Sequence, residues 1–220
     1  MSNPNQSDFM KIKLMMLQNI FVALVVSLIF TINAKALSSV VTIANNDIVA
    51  NTLWSGDTVK VLKNISILQN ATLTIAPKTF VKFMGNYSIN CSWGKLIAVG
   101  SGADSIRFSV NDTTGFAKNP ATTNGGWGGI NLSEGSHIEK CVFSYIKTSS
   151  QGIKLVKNAC VKGNRFFKNS TGAGLFVAFT DNCILLNNKF QSNNDYIVDI
   201  NNNTGYYSSV FFSNMNQIRI

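Results

Sequence analysis

Two sets of apolar residues recur with one period through the second half of the chain, and this repeat constrains the fold more than any other sequence feature. The first ladder is Phe143, Phe166, Phe190 and Phe211, and the second is Ile130, Ile153, Leu175 and Ile197. Successive members are about 22 residues apart. Asn169, Asn193 and Asn214 each follow a Phe of the first ladder by three residues. The sequence therefore repeats a structural unit of roughly 22 residues.

A period of this length, with alternating apolar residues and no helical periodicity, predicts a parallel β-helix. Leucine-rich repeats share the period but need several leucines and a helical segment in each unit. In a β-helix, equivalent residues of successive coils stack about 4.8 Å apart. We therefore expect the Phe and Ile ladders to fill a continuous core and the Asn ladder to form hydrogen bonds at the corners.

The N-terminal region has the pattern of an export signal. Two lysines at 11 and 13 precede an apolar stretch over 14–32, and Ala34-Lys-Ala36 has the form of a cleavage site. We expect residues 1–36 to be a signal peptide with an upstream extension, removed after Ala36. The alternative is an uncleaved membrane anchor, because the apolar run approaches the length of about 20 residues that spans a bilayer.

The remaining chain divides into two parts. Residues 37–58 are predicted to be an N-terminal cap with Trp54 as a plug, because the first coil of a solenoid needs cover. Residues 59–220 are predicted to be coils. The sequence stops at Gln217–Ile220, which reads as the start of another strand. We therefore expect a missing C-terminal region, or a cap supplied by another chain.

Charge and cysteine content narrow the class of partner. The net charge of +9 falls to about +7 once residues 1–36 are set aside. For an exported chain, this favours an acidic polysaccharide or envelope glycan over nucleic acid, with an ordinary solvated surface as the alternative. The cysteines are Cys91, Cys141, Cys160 and Cys183, and no pair has the spacing of a zinc site. We expect Cys160 and Cys183 to be neighbours in adjacent coils as buried thiols rather than a disulfide.

A series of short segments resembles a known class of proteins. In order, these segments are Asn70–Pro77, Val81–Phe83, Gly94–Gly100, Ile106–Phe108 and Gly126–Ile130, followed by the Asn-x-Phe turns at Asn164 and Asn188. They resemble the coils of bacterial secreted right-handed parallel β-helix repeat proteins, the pectin-lyase-like class. The resemblance covers nearly all of residues 50–220, with one departure at Lys78, where that class usually has Gly after Pro. It implies an all-β, single-stranded right-handed parallel β-helix, a scaffold that hosts many activities.

The resemblance also implies what an active site would need. Lyases of this class use a Lys or Arg base, with carboxylates holding Ca²⁺ against a uronate. The weak catalytic candidates here are Lys154, Arg165 and Asp181, and the weak binding candidates are Lys147, Lys157, Lys162 and Lys168. No two of Asp181, Asp195 and Asp199 are one coil apart, so we expect no metal and no cofactor, with Ca²⁺ only under a lyase alternative. The single histidine, His137, is expected in a turn or on the surface.

The leading functional hypothesis is a secreted or cell-surface scaffold that binds extracellular or envelope polysaccharide, without nucleic acid and without a membrane span after signal cleavage. One alternative is a polysaccharide lyase or hydrolase whose catalytic coils lie beyond residue 220. Another is an adhesin passenger fragment. The long loop over 111–126 is expected to be either a binding ridge or an insertion without a role.

Overall fold

A computed structural model describes residues 39–45, 47–116, 122, 124–148, 152–170, 175–178, 183–191, 198–201 and 211–213, together with residues 14 and 16–18. For residues 175–178, 191, 198–201 and 211–213 it describes the backbone. The chain forms two compact units, Met1–Ser38 and Ser39–Ile220.

The first unit contains helical residues at Leu14 and at 16–18. Most of the predicted signal peptide, including its cleavage site, lies outside the described residues. Within the part that is described, no helix is both long enough and apolar enough to cross a membrane.

The second unit is built from short strands that follow one another in groups of three, and each group forms one coil. Coil 1 contains β1 (Val40–Ile43), β2 (Asp47–Ile48) and β3 (Thr52–Trp54), and coil 2 contains β4 (Thr58–Val61), β5 (Ile65–Ile67) and β6 (Thr72–Ile75). Coil 3 contains β7 (Phe80–Phe83), β8 (Ser88–Cys91) and β9 (Lys95–Val99), and coil 4 contains β10 (Ile106–Val110), β11 (Gly129–Asn131) and β12 (His137–Glu139). Coil 5 contains β13 (Cys141–Ser144), β14 (Ile153–Leu155) and β15 (Cys160–Lys162). Coil 6 contains β16 (Arg165–Phe167), β17 (Leu175–Ala178) and β18 (Ile184–Leu186), and coil 7 contains β19 (Lys189–Gln191), β20 (Val198–Asn201) and β21 (Phe211–Ser213).

Equivalent strands of successive coils pair in parallel and form three sheets. Sheet A gathers the first strand of each coil, sheet B the second and sheet C the third, so that each sheet has seven strands within the described residues. The strand pairs that join neighbouring coils are parallel, as between β4 and β7. The predicted all-β parallel β-helix is therefore confirmed.

Alternation along each strand separates the core from the surface. In β4, Val59 and Val61 are buried while Thr58 and Lys60 are half-exposed, and β6 and β7 repeat the pattern. Because strand side chains point alternately to the two faces of a sheet, each strand contributes one or two apolar residues to the interior. The buried apolar residues of all three sheets form a single core.

The Phe ladder is confirmed from Phe143 to Phe190. Phe143, Phe166 and Phe190 are in register on sheet A, and their rings stack with centroids 5.1 and 4.8 Å apart. The stack also runs back toward the N-terminus, because Phe108 lies 4.8 Å from Phe143 and Trp127 lies 4.3 Å from Phe83. Offset-stacked aromatic pairs of this kind contribute about 0.5–1.5 kcal/mol each beyond the burial of their area.

The placement of Phe211 in this ladder is wrong. Phe211 lies on β21 in sheet C, in register with Ile184, whereas Phe190 lies on β19 in sheet A. The chain uses about 21 residues between Phe190 and Phe211 to pass only from sheet A to sheet C, so an equal interval in sequence does not complete a coil here.

The second ladder is confirmed for Ile130, Ile153 and Leu175, which are in register on sheet B. Its last member is displaced by one residue, because Leu175 pairs with Val198 rather than with Ile197. Ile197 itself lies outside the described residues. A change of one residue in the preceding corner is enough to cause this shift.

Buried asparagines form hydrogen bonds at the coil corners, as expected. Asn169 accepts a 2.9 Å bond from the backbone N–H of Ile146 in the previous coil. At the corner between sheets C and A, Oδ1 of Asn164 accepts from Cys141 N at 2.8 Å, and Oδ1 of Asn188 accepts from Asn164 N at 3.0 Å. Asn193 and Asn214 lie outside the described residues.

The segment predicted to be the N-terminal cap contains the first coil of the solenoid, over residues 40–54. Strands β1, β2 and β3 pair with β4, β5 and β6 of coil 2. Trp54 points inward and is only 2% exposed, so it fills the interior at this end.

The cysteines Cys160 and Cys183 lie in adjacent coils but are offset by one residue. Cys160 is in register with Ile184 and half-exposed, whereas Cys183 is fully buried. Their side chains therefore lie on opposite faces of sheet C, which prevents a disulfide. All four cysteines are free.

Candidate functional site

The predicted candidates are distributed over different faces of the solenoid rather than gathered into one site. Lys154 is half-exposed on β14 of sheet B, in register with Asn131. Arg165 is exposed on β16 of sheet A. Lys157 is exposed at a corner between sheets B and C. Asp181, the one carboxylate among these candidates, lies outside the described residues.

Lys147 does not belong to the outer surface, which corrects its placement among the binding candidates. Its side chain is 1% exposed. The ammonium group donates to the carbonyl of Asn124 at 2.8 Å, to Thr122 Oγ1 at 2.9 Å and to the carbonyl of Gly115 at 3.4 Å. It also lies 5.9 Å from the ring centroid of Phe116. Lys147 thus fastens the long loop between β10 and β11 to the body of the solenoid.

Lys162 is held in a small ionic cluster on sheet C. Its ammonium group lies 3.5 Å from Glu139 Oε1, and the Lys140 ammonium lies 4.0 Å from the same oxygen. His137 Nε2 lies 3.1 Å from Glu139 Oε2. His137 is on strand β12 rather than in a turn, with its side chain partly exposed as expected. The single carboxylate of Glu139 therefore engages several basic groups, and Lys162 is not an isolated cation.

The outward face of sheet A carries basic residues in coils 2, 3, 4, 6 and 7. We call this set the basic face; it consists of Lys60, Lys82, Arg107, Arg165 and Lys189. Among the described strand positions that point outward from sheet A, none is Asp or Glu. Lys60 and Lys82 share one register position, and Arg107, Arg165 and Lys189 share another, two residues away along the strands. Since successive coils are about 4.8 Å apart, these charges form a row two positions wide along the solenoid axis.

Two pairs of like charges face each other directly in this row. Lys60 is in register with Lys82, and Arg165 is in register with Lys189. Like charges at directly opposed positions of neighbouring strands destabilise a sheet. A bound anion removes that repulsion, so the arrangement favours a negatively charged partner.

Half-exposed aromatic rings order several of these cations. The ring of Phe80 has the Arg107 guanidinium at 4.7 Å and the Lys82 ammonium at 5.1 Å from its centroid. The ring of Phe167 has the Arg165 guanidinium at 5.2 Å and the Lys168 ammonium at 5.3 Å. Cation–π contacts contribute about 0.5–1 kcal/mol at exposed sites, so they limit the conformations of these long side chains without neutralising them.

A groove of about 790 Å³ lies on another side of the solenoid, at the corner between sheets B and C. It crosses coils 3, 4 and 5, with walls formed by 91–95, 132–135 and 156–158. Its charged residues are Lys95, Glu134 and Lys157, all exposed. We call this feature the corner groove.

Trp93 is the most unusual residue of the corner groove. Its side chain is 84% exposed, while Trp54 and Trp127 are 2% and 0% exposed. Its φ is 70°, in the left-handed region that bulky residues rarely adopt. The large apolar ring of Trp93 thus lies in water at the edge of the groove, on a backbone conformation that is unfavourable for it.

The backbone beneath Trp93 is tightly packed. A Cβ at Gly94 would lie 2.3 Å from the carbonyl oxygen of Leu68, so only glycine fits there. The hydroxyl of Ser133 in the next coil donates to the carbonyl of Gly94. These contacts fix the corner that carries the indole ring.

Two polar side chains of the corner groove hold each other in place. Asn158 Nδ2 donates to Glu134 Oε1 at 2.6 Å, which leaves Oε2 able to accept from a ligand. The neighbouring Gly135 has its Cβ position 3.4 Å from the end of the Lys95 side chain, so Lys95 lies over this glycine.

The thiols of Cys91, Cys141 and Cys160 are poor nucleophiles at neutral pH. Burial raises the pKa of Cys91 to about 11, and hydrogen bonds from Ser133 and Ser136 only partly oppose it. Burial also raises the pKa of Cys141 and of Cys160. Among the residues that the structure describes, no three His, Cys, Asp or Glu side chains are grouped so that they could hold a metal ion.

Neither family models, nor curated proteins, nor solved structures give a match to this chain. The resemblance to the pectin-lyase-like class therefore remains a prediction about ancestry, while the solenoid fold rests on the strand pairing itself.

Sequence reasoning identified Arg165 and Lys157 but missed the two surfaces to which they belong. The signals that could have found them are Lys60, Lys82 and Arg107 at alternating strand positions, and the Ser92-Trp93-Gly94 corner. Tryptophan joins a large apolar ring to an N–H donor, which suits it to contacts with a partner.

Proposed function

We propose that this protein is a secreted or cell-surface β-helix scaffold that binds an acidic polysaccharide along the basic face. The observation that carries the proposal is the row of Lys60, Lys82, Arg107, Arg165 and Lys189 on one sheet without an outward carboxylate among the described strand positions.

The geometry favours a linear polymer over a small ion. The basic residues extend from coil 2 to coil 7, a distance of about 24 Å at the spacing of parallel strands. A chain with a carboxylate on each sugar can contact several of them at once, and each additional contact raises the effective concentration for the next. The export-like N-terminal sequence favours an extracellular polysaccharide over nucleic acid as this polymer.

The test compares polymer binding by two variants with the same loss of charge. The face variant carries Lys60→Gln, Lys82→Gln, Arg107→Gln and Arg165→Gln. The control variant carries Lys63→Gln, Lys78→Gln, Lys140→Gln and Lys154→Gln, all of which lie off sheet A or at its corners. The probes are polygalacturonate, neutral dextran and single-stranded DNA, measured by biolayer interferometry at several salt concentrations.

We expect polygalacturonate to bind the wild type with an affinity that falls as salt rises, because exposed charges are screened within a Debye length of about 10 Å at 0.1 M. The face variant should bind at least about tenfold more weakly, and the control variant should stay within about threefold of wild type. Equal losses in both variants would mean that only net charge matters. Tighter binding of DNA than of polygalacturonate would contradict the choice of polysaccharide.

A further inference from the structure

We propose that the corner groove is a second carbohydrate site, which binds a single uronic acid residue with its ring against Trp93. The inference is independent of the basic face, which lies on sheet A rather than at the corner between sheets B and C.

The position of Trp93 argues for a contact with a ligand. Asn70 occupies the equivalent corner position one coil earlier, since Thr72 and Lys95 are in register two residues further on. Asn70 also has a positive φ, 66°, and Asn and Gly are the residues that tolerate this region best. Trp93 therefore replaces a residue suited to the backbone with one that is strained and exposed to water. Other corners also carry non-glycine residues at positive φ, including Lys140, Tyr145 and Lys168, so the exposure of the Trp93 ring at the groove is the feature that argues for a ligand.

The other groups of the corner groove match the remaining parts of a uronic acid. Lys95 in coil 3 and Lys157 in coil 5 lie on either side of Glu134 in coil 4. The two ammonium groups can bind the sugar carboxylate, and Oε2 of Glu134 can accept hydrogen bonds from ring hydroxyls. Two strand spacings separate coils 3 and 5 by about 10 Å, which is wide enough for a sugar ring and its substituents.

The same groups disfavour other flat ligands. A pyranose presents an apolar C–H face to an aromatic ring and hydroxyls at its edge, and it needs acceptors for those hydroxyls. A nucleotide would also stack on Trp93 with its phosphate on the lysines, but a stacked base does not present the ring hydroxyls of a pyranose to Glu134. A sugar with one carboxylate satisfies the indole, both lysines and Glu134 together.

The experiment measures ligand binding to the whole chain through tryptophan fluorescence. Trp54 and Trp127 are buried, so a change in emission on binding reports mainly on Trp93 in the wild type. Isothermal titration calorimetry provides the same affinities for variants without Trp93. The probes are trigalacturonate, the uncharged cellotriose and adenosine monophosphate.

Trigalacturonate should bind the wild type with a Kd near or below about 1 mM, more tightly than either other probe. Trp93→Asn should weaken this binding at least about tenfold without lowering the Tm, because asparagine suits the left-handed backbone. Asn70→Gly is the matched control at the equivalent corner of coil 2, outside the groove, and should leave the affinity unchanged. Lys95→Met with Lys157→Met should reduce the preference for trigalacturonate over cellotriose.

Unchanged affinity of Trp93→Asn for trigalacturonate would overturn the proposal, as would tighter binding of adenosine monophosphate. Absence of trigalacturonate binding at about 10 mM would overturn it as well. The quadruple variant of the basic face should retain wild-type affinity for trigalacturonate. The two proposals can therefore fail separately. Unchanged polymer binding in the quadruple variant would contradict the basic face alone, and unchanged trisaccharide binding in Trp93→Asn would contradict the corner groove alone.

Discussion

The side-chain amide of Asn164 donates a 3.0 Å hydrogen bond to Oδ1 of Asn188, the equivalent residue of the next coil. The same amide donates to the carbonyl of Ile138 at 3.2 Å, and Asn188 repeats this with Val161 at 2.8 Å. Both side chains are essentially buried, at 1% and 0% exposure. Asparagine therefore provides hydrogen-bond partners for the buried backbone groups of a tight corner, where neither water nor a neighbouring strand can provide them.

Replacing Asn164 with Ala should strongly destabilise the solenoid. It leaves the buried N–H of Cys141 and the carbonyl of Ile138 without their side-chain partner, and it removes a bond to Asn188. We expect the free energy of unfolding to fall by about 2–4 kcal/mol. Urea denaturation followed by circular dichroism measures it.

The matched control is Asn131→Ala, since Asn131 is an exposed asparagine of sheet B that donates to Asn90. It should change the free energy by less than about 1 kcal/mol. Similar effects of the two substitutions would show that burial of the corner amide is not what stabilises the coil.

Replacing Gly94 with Ala should disrupt the corner beneath Trp93. The added methyl group would lie 2.3 Å from the Leu68 carbonyl and 2.6 Å from Ile67 Cγ2, so the two coils must move apart. We expect a loss of about 2–3 kcal/mol in the free energy of unfolding.

Gly102→Ala provides the comparison, because a Cβ at Gly102 has nothing within 4 Å. It should be neutral or stabilise the protein by up to about 1 kcal/mol, through reduced entropy of the unfolded chain. Thermal unfolding of both variants side by side is sufficient, and a stable Gly94→Ala would rule out the close packing of coils 2 and 3.

Replacing Lys147 with Met should loosen the loop between β10 and β11 while keeping most of the side-chain volume. The carbonyl of Asn124 and Thr122 Oγ1 lose their charged donor. We expect the free energy of unfolding to fall by about 2–3 kcal/mol. Cleavage by chymotrypsin near Phe116 should also become faster, since its ring loses the ammonium group packed above it.

Lys154→Met tests whether the loss of any lysine has this effect. Lys154 is half-exposed on sheet B, and its replacement should change stability by less than about 0.5 kcal/mol. A Lys147→Met protein as stable and as protease-resistant as Lys154→Met would contradict the anchoring role.

Alkaline pH should destabilise the protein through its buried thiols. The pKa of Cys91 is about 11 in the folded state against 9.0 for a free thiol. Below pH 9 both states are protonated and the full stability is present. Between pH 9 and 11 the unfolded state loses its proton first, so stability decreases, by about 2–3 kcal/mol for this one group.

The measurement is the free energy of unfolding of wild type and of Cys91→Ala at pH 8 and pH 10.5. Cys91→Ala removes one titrating thiol, so its stability should decline less steeply over that range than that of the wild type. Parallel declines would show that Cys91 ionises at its ordinary pKa in the folded protein.

The core of the fold was predictable from sequence because it depends on the alternation of apolar and polar residues within each strand and on a repeat that is visible in the sequence. Phe143, Phe166 and Phe190 stack as expected, and Ile130, Ile153 and Leu175 share one register. The period alone could not place Phe211. The number of residues in a corner varies from coil to coil, so residues that are one period apart need not occupy equivalent positions on the same sheet.

The surfaces were harder to predict because they depend on which residues of different coils become neighbours. Lys147 looks like an ordinary surface lysine until the loop that contains Asn124 folds over it. The basic face requires the register of sheet A, since Arg107 and Phe80 are 27 positions apart in sequence yet directly opposed. The unusual position of Trp93 could not be predicted, because its exposure and its φ follow from the fold and not from a pattern in the sequence.

The pairing of each coil only with its immediate neighbours has a consequence for how this molecule could change over evolution. Duplication or deletion of a coil that carries one of these cations would lengthen or shorten the row by one step and leave the remaining contacts intact. Valency for a polymer would then vary with the number of repeats, in near-equal increments of binding free energy. Affinity for a long glycan could thus be graded through gene length, without remodelling of any individual contact.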